Sequence, residues 1–250
     1  MPLRLAILEA DTPVPASNAR YGGYLGVFRH LLTRAVSPIP LDSVVTLTGH
    51  DVVSGDPATV YPDLNNIDAV LVSGSKHNAF GDDAWILGLV EFVGRALADG
   101  RVRVVGVCFG HQIVARAMGL TVGRSEGGWE VSVTETGLTE RGREVFGRDV
   151  LKIQQMHRDI VFGLPDGAEL LASTEKCANH GFLIPNKVIT VQGHPEFTDD
   201  IMDEILELRH ASGVLTDAEY ASGKTRNKQE HDGVFMAQVF LKFLLDQQQG

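Results

Sequence analysis

Cysteine is scarce in this chain: Cys108 and Cys177 are the only two. A disulfide framework is therefore excluded as its source of stability, and a reduced compartment fits better. Long apolar runs are absent too. The run at the start, Leu3–Leu8, is too short for a signal peptide, and nothing later approaches the length that spans a bilayer. A cytoplasmic protein without a membrane partner is expected. Basic residues are the minority, 22 Lys and Arg against 32 Asp and Glu, for a formal charge of −10. That balance gives nucleic acid or an anionic membrane no electrostatic hold. There is no Gly-rich loop ending in Lys-Ser/Thr, hence no P-loop for ATP. Neither cysteine has paired ligands at zinc spacing, so no metal site is expected. What is present is ordinary for a globular chain: 44% hydrophobic and 22% charged residues in a total of 250. That length buries one large core without splitting, and residues 1–250 read as a single domain.

Short apolar runs alternate with helical periodicity. Leu3–Leu8, Val44–Leu47, Ala69–Val72 and Val102–Val107 read as strands. Tyr24–Val36 has helical spacing, and Trp85–Ala98 places Trp85, Leu89, Phe92, Val93 and Leu97 on one face. Continuous apolar strands such as Val102–Val107 belong to parallel sheets covered on both faces. The alternation predicts an open α/β fold, mostly parallel and flanked by helices. Thr121–Thr136 alternates as antiparallel strands do, which adds a small antiparallel subsheet. Leu170–Thr174, Gly181–Ile184 and Lys187–Val191 read as further strands, the last two joined at Pro185-Asn186. Helices are expected at about 199–211 and 233–246, with an exposed loop at Ser222–Asp232 between them.

The strand Val102–Val107 runs into Gly106-Val107-Cys108-Phe109-Gly110, and a helical pattern follows from His111 to Met118. A nucleophile on a strand-to-helix turn needs small flanking residues because backbones approach closely there, and G-x-C-x-G is the thiol form of the G-x-S-x-G elbow. The turn sets the thiol at a helix N-terminus, where the dipole favours the thiolate. The N–H of Phe109 would point into the site and could stabilise an oxyanion. The alternative is a buried core cysteine between two structural glycines. Cys177, in Glu175-Lys176-Cys177-Ala178, has no elbow and takes that alternative.

A cysteine nucleophile requires a base and a group that orients the base. Of nine histidines, His194 in Gln192-Gly193-His194-Pro195-Glu196 is the best placed. It follows a β-branched strand, and sites in open α/β sheets gather outside the carboxyl ends of strands. Pro195 biases His194 toward extended backbone, and Glu196 stands close enough to reach back to the imidazole. The competing reading is a histidine at a strand end with Glu196 as a solvated charge opening the next helix. His111 reads as structural; His50, His210 and His231 lie in polar surroundings and read as solvated.

These residues resemble the class I, triad-type glutamine amidotransferases: Gly-Val-Cys-Phe-Gly-His-Gln at 106–112 with Gln-Gly-His-Pro-Glu at 192–196. Tyr21-Gly22-Gly23-Tyr24, the segment Ser73–Phe80, Asp83 with Trp85-Ile86-Leu87, and Thr121–Arg124 are similar to the free-standing γ-glutamyl peptidase branch. The likeness runs from Leu3 to about Phe243. It implies a flavodoxin-like sheet, with Cys108 as nucleophile, His194 as base and then acid, and Glu196 as orienter. It also implies that the backbones of Gly74 and Phe109 form the oxyanion hole, and that Gln112 meets the α-amino or carboxylate end of a γ-glutamyl group. His157, in Gln155–Asp159, is either pocket-lining or structural. Trp129 either lines the pocket or packs in the core. Val107 and Phe109 depart from the larger amidotransferases, which carry a small residue or cysteine before the elbow and leucine after the nucleophile; the phenylalanine is shared with the peptidase branch.

Three functions compete. The first is a γ-glutamyl hydrolase acting alone, without cofactor, on γ-glutamyl peptides, glutathione or its conjugates. The second is a glutaminase subunit delivering ammonia to a separate synthetase. The third is a catalytically silent binding module, which would have no chemical need for all three triad groups. The leaving group, the pathway and the oligomeric state are set by loops and surfaces that residue patterns do not specify.

Overall fold

The computed structural model describes residues 1–246. Its elements run β1 (Leu3–Glu9), α1 (Pro15–Tyr21), α2 (Tyr24–Val36), β2 (Val45–Asp51), β3 (Ala69–Val72), α3 (Ala84–Asp99), β4 (Arg103–Val107) and α4 (Phe109–Ala117). Then come β5 (Thr121–Arg124), β6 (Glu130–Leu138), α5 (Glu140–Phe146), β7 (Val150–His157), β8 (Asp159–Phe162), β9 (Glu169–Leu170) and β10 (Ala172–Ser173). The chain closes with β11 (Phe182–Ile184), β12 (Val188–Val191), α6 (Asp199–Ala211), α7 (Asp217–Arg226) and α8 (Gly233–Leu245).

The main sheet has the order β2-β1-β3-β4-β12-β11-β9. β2 through β12 in that order are parallel, and β11 is antiparallel to both its neighbours. Helices cover both faces, and the period-2 pleat sorts the strand side chains between them. Leu5 and Ile7 of β1 join one buried cluster with residues of α2, α6 and α8. Ala6 and Leu8 of the same strand join the other, with residues of α3 and α4. This is why Leu5–Leu8 of β1, all of β3 and Val104–Val107 of β4 are continuously apolar: each has two core faces. The open, mostly parallel α/β fold read from the sequence is the observed one, and β10-β6-β7 and β5-β8 are the small antiparallel sheets. Among the described residues no helix is long and apolar enough to cross a membrane.

Three local readings differ. β5 and β6 are antiparallel strands, but they pair with β8 and β7, not with each other. The segment Leu170–Thr174 divides at Leu171, with Glu169–Leu170 in the main sheet and Ala172–Ser173 in the three-stranded one. Part of the expected loop at Ser222–Asp232 is the end of α7. That helix has a polar sequence that hides its period. A capping box between Thr216 and Glu219 starts it, and Lys224 ties it to Asp203 and Glu207 of α6.

Candidate active site

Cys108 stands between β4 and α4 with φ 51° and ψ −104°, a backbone conformation that residues with a Cβ rarely adopt. The flanking glycines make the turn possible. A Cβ on Gly110 would lie 2.2 Å from the carbonyl oxygen of Val72, and one on Gly106 would lie 2.8 Å from the Gly110 backbone. Cys108 N–H donates to the Val191 carbonyl at 2.9 Å, which ties the turn to β12. Phe109 opens α4, so its N–H is among those a helix leaves without an internal partner. Gly74, just past β3, sits against the thiol: its Cβ position is 3.7 Å from Cys108 Cβ and 2.7 Å from His194 Cε1. Any side chain there would displace the imidazole.

His194 follows β12, and its N–H donates to the Gln154 carbonyl at 2.8 Å, which fixes its backbone against β7. The ring stacks on Phe197 with centroids 3.9 Å apart. Its Nδ1–H donates to Glu196 Oε1 at 2.8 Å, so Nε2 is the nitrogen left to face sulfur. Both side chains are buried, Glu196 at 0% exposure. Burial disfavours a charged ring, yet the Cys108 sulfur and the Glu196 carboxylate outweigh it and raise His194 to about 10. Burial, with Glu196, Asp11 and Cys108 close by, pushes the Tyr24 hydroxyl well up, so it stays neutral.

Two cavities flank this group and share Ser75, Lys76, Met156 and Arg209 as walls. The smaller, about 60 Å³, contains Cys108, Phe109, Gln112, Trp129 and His157. The larger, about 400 Å³, contains His194 and is mostly apolar, with Val14, Phe197, Ile201, Ile205 and Leu208. The sequence-predicted Gly74, Phe109, Gln112, Trp129 and His157 thus gather around one thiol with His194 and Glu196. Gln112 also has internal duties: its Nε2 donates to the Asp159 carbonyl at 2.9 Å and to Gln192 Oε1 at 3.1 Å. Trp129 both packs on the core and lines the small cavity.

Sequence reasoning missed two arginines. The guanidiniums of Arg158 and Arg209 lie 5.1 and 5.3 Å from the Trp129 ring centroid, and neither forms an ion pair among the described residues. Burial holds Arg209 below its ordinary value against the pull of the Cys108 sulfur and Asp11, and Arg158 adds like-charge repulsion. Arg158 lies in the segment Gln155–Asp159, where the family likeness puts a substrate-contacting turn, and no local motif marks Arg209. Lys76, on the wall between the cavities, pairs with Asp11 at 2.7 Å.

The remaining candidates are structural. His111 Nδ1 meets Thr190 Oγ1 at 2.8 Å, and burial, with His180 and His157 nearby, lowers it to about 3, so it is neutral. The Cys177 thiol donates to the Asn179 carbonyl at 3.2 Å, and burial pushes it far up. His210 pairs with Asp217 in half-exposed surroundings. His231 is more enclosed than its polar neighbours in sequence implied, and burial lowers it.

Residues 28–209 match the glutamine amidotransferase class-I family. A glutamine amidotransferase-like protein of Schizosaccharomyces pombe is 36% identical over 248 residues, which cover 98% of this chain and 100% of the relative. Gamma-glutamyl peptidase 3 of Arabidopsis thaliana is 36% identical over 229 residues, 87% of this chain and 86% of the relative. A crystal structure of a glutamine amidotransferase from Thermotoga maritima superposes with a TM-score of 0.77, covering 98% of this chain and 99% of that one. At 16% identity that likeness speaks to the fold alone.

Proposed function

Because the chain belongs to the class-I glutamine amidotransferase family, we propose that it hydrolyses γ-glutamyl amide bonds through a γ-glutamyl thioester on Cys108. The observation that carries this is the joint placement of a strained Cys108 at a helix N-terminus, His194 beside it and Glu196 on the far nitrogen. The relatedness to gamma-glutamyl peptidases supports the choice of bond.

The Cys108 thiolate adds to the γ-carbonyl carbon, and the carbonyl electron pair moves onto oxygen between the N–H groups of Gly74 and Phe109. As the tetrahedral intermediate collapses, the C–N bond breaks and the leaving nitrogen takes the Nε2 proton of His194. A water molecule then loses a proton to Nε2 of His194 and adds to the thioester. The C–S bond breaks, and glutamate leaves with the thiolate restored. Glu196 holds the ring in the tautomer that serves both steps. His194 faces the larger cavity, so the amine it protonates departs toward that apolar groove. The γ-glutamyl half then occupies the small cavity, where the uncompensated guanidiniums of Arg158 and Arg209 meet a substrate carboxylate.

The test is direct. The pure full-length chain is incubated separately with glutamine, glutathione and a glutathione S-conjugate, and released glutamate is quantified beside a Cys108→Ala control. Turnover of a γ-glutamyl peptide by the chain alone, lost in the control, is expected. No turnover of any of the three overturns the proposal. Glutamine turnover that needs an added synthetase replaces it with the ammonia-delivering role.

A further inference from the structure

Three buried side chains converge next to the small cavity and take no part in the chemistry above. Glu130 opens β6 and His157 closes β7, and the two face each other directly in the antiparallel ladder. His180 comes from the segment before β11. Its N–H donates to the Ala172 carbonyl and its own carbonyl accepts from Gln192, both at 2.9 Å, so its position is fixed from two sides. Glu130 Oε2 lies 3.0 Å from His157 Nε2 and 3.2 Å from His180 Nε2, with all three side chains at most 6% exposed. We propose that Glu130, His157 and His180 form a binding site for a divalent transition-metal ion of the zinc class, with the two Nε2 atoms and the carboxylate as ligands.

The tautomer of His157 is the first argument. Its Nδ1 lies 3.3 Å from the Asp159 carbonyl oxygen, which can only accept, so Nδ1 carries the proton. A neutral ring then leaves Nε2 unprotonated 3.0 Å from Glu130 Oε2, two acceptors close together with no hydrogen bond between them, while His180 Nε2 meets the same oxygen at 3.2 Å. Something positive has to lie between them. One candidate is a second proton, which makes a buried imidazolium. The other is a cation.

Geometry supports the cation. Zinc takes nitrogen at about 2.0–2.1 Å and carboxylate oxygen at about 2.0–2.2 Å in a tetrahedron, which puts ligand atoms roughly 3.3 Å apart. Two of the three separations here are 3.0 and 3.2 Å, and all three atoms lie within 4.8 Å of one another. Two imidazoles with one carboxylate suit zinc, cobalt, nickel or iron, whereas calcium and magnesium prefer oxygen alone. The carbonyl that takes the Nδ1 proton is the kind of outer partner that orients metal-bound imidazoles, and Gln112 Nε2 holds that same carbonyl in place at 2.9 Å. Three protein ligands leave a fourth position open. His157 also walls the Cys108 cavity, so a bound ion would stiffen that wall.

The experiment titrates Co²⁺ and then Zn²⁺ into the full chain after chelator treatment and removal of the chelator. One equivalent of Co²⁺ with visible ligand-field absorption is expected, displaced by Zn²⁺, which also raises the unfolding temperature. Glu130→Gln and His180→Gln should each weaken binding by about tenfold or more, in line with losses seen when metal-site partners are removed. Cys108→Ala should bind as the wild type does. The absence of a bound equivalent in the wild type overturns the site. So does loss of binding in Cys108→Ala, which would put the ion on the thiol. Those two titrations decide the matter even if a ligand variant fails to fold.

Discussion

Replacing Glu196 with Gln tests the roles assigned around Cys108. The side chain is wholly buried, and Gln keeps its shape. Glu196 Oε1 accepts from His194 Nδ1 at 2.8 Å, while Oε2 has no hydrogen-bond partner among the described residues. A Gln with its amide oxygen toward Nδ1 therefore keeps the ring's tautomer and exchanges one unpartnered polar atom for another. Stability should change by no more than about 1 kcal/mol. Catalysis should suffer more. A hydrogen bond to a charged group is worth about 1.5–3 kcal/mol against about 0.5–1.5 for a neutral one. The difference, about 1–1.5 kcal/mol, is roughly tenfold in rate at 1.36 kcal/mol per decade. If the amide turns over, the ring takes the other tautomer and the loss climbs toward the roughly 10⁴-fold that a tautomer error causes in a serine-protease triad. The pH profile should move as well. Glu196 is one of the groups that raise His194 to about 10, so its neutral replacement shifts the alkaline limb of activity toward lower pH. The same raised value sets a stability window. The pairing of His194 contributes fully below the ordinary histidine value near 6.5 and fades as pH climbs through about 10. Glutamate release from pH 6 to 10, with urea unfolding of both proteins, measures all of this. A turnover number within twofold of wild type together with an unmoved alkaline limb would refute the assignment of Glu196.

Three further outcomes follow from the same geometry. At an ordinary helical site Gly is about 1 kcal/mol less stable than Ala, but at position 108 the positive φ adds strain of order 1–3 kcal/mol to Ala alone. Cys108→Gly should therefore be at least as stable as Cys108→Ala by urea unfolding, and a Gly variant worse by about 1 kcal/mol contradicts the strained elbow. Gly110→Ala drives a Cβ to 2.2 Å from the Val72 carbonyl oxygen, backbone that cannot yield cheaply. It should cost about 3 kcal/mol, or roughly 6–12 °C in Tm for a chain of this size, and a melt within 2 °C of wild type argues against the close approach. Arg158→Gln removes one of the small cavity's two guanidiniums that form no ion pair among the described residues, and should raise KM for γ-glutamyl substrates about tenfold or more with a smaller change in kcat; an unchanged KM removes Arg158 from substrate binding.

What was legible in the sequence is what the local backbone dictates. Tyr24–Val36 is the observed α2, because its apolar spacing is a property of neighbours along the helix. The elbow was legible for a similar reason. Gly106 and Gly110 are written into the sequence by the tightness of the turn that carries Cys108, and Pro195 by the backbone it gives His194. Whatever depends on distant partners was hidden. β5 and β6 show their alternation, but their pairing with β8 and β7 is settled by packing across the fold. Arg158 and Arg209 mean little until one aromatic ring brings them together beside the thiol, and the helical pattern at 199–211 gives no sign that Arg209 turns toward it. Glu130, His157 and His180 show no metal spacing, since β6, β7 and the segment before β11 converge only in three dimensions. A nucleophile is confined to one strained turn and so leaves a local mark. The two cavities draw single residues from many elements, and the sequence marks only those, such as Gln112, Trp129 and His157, that a family likeness supplies.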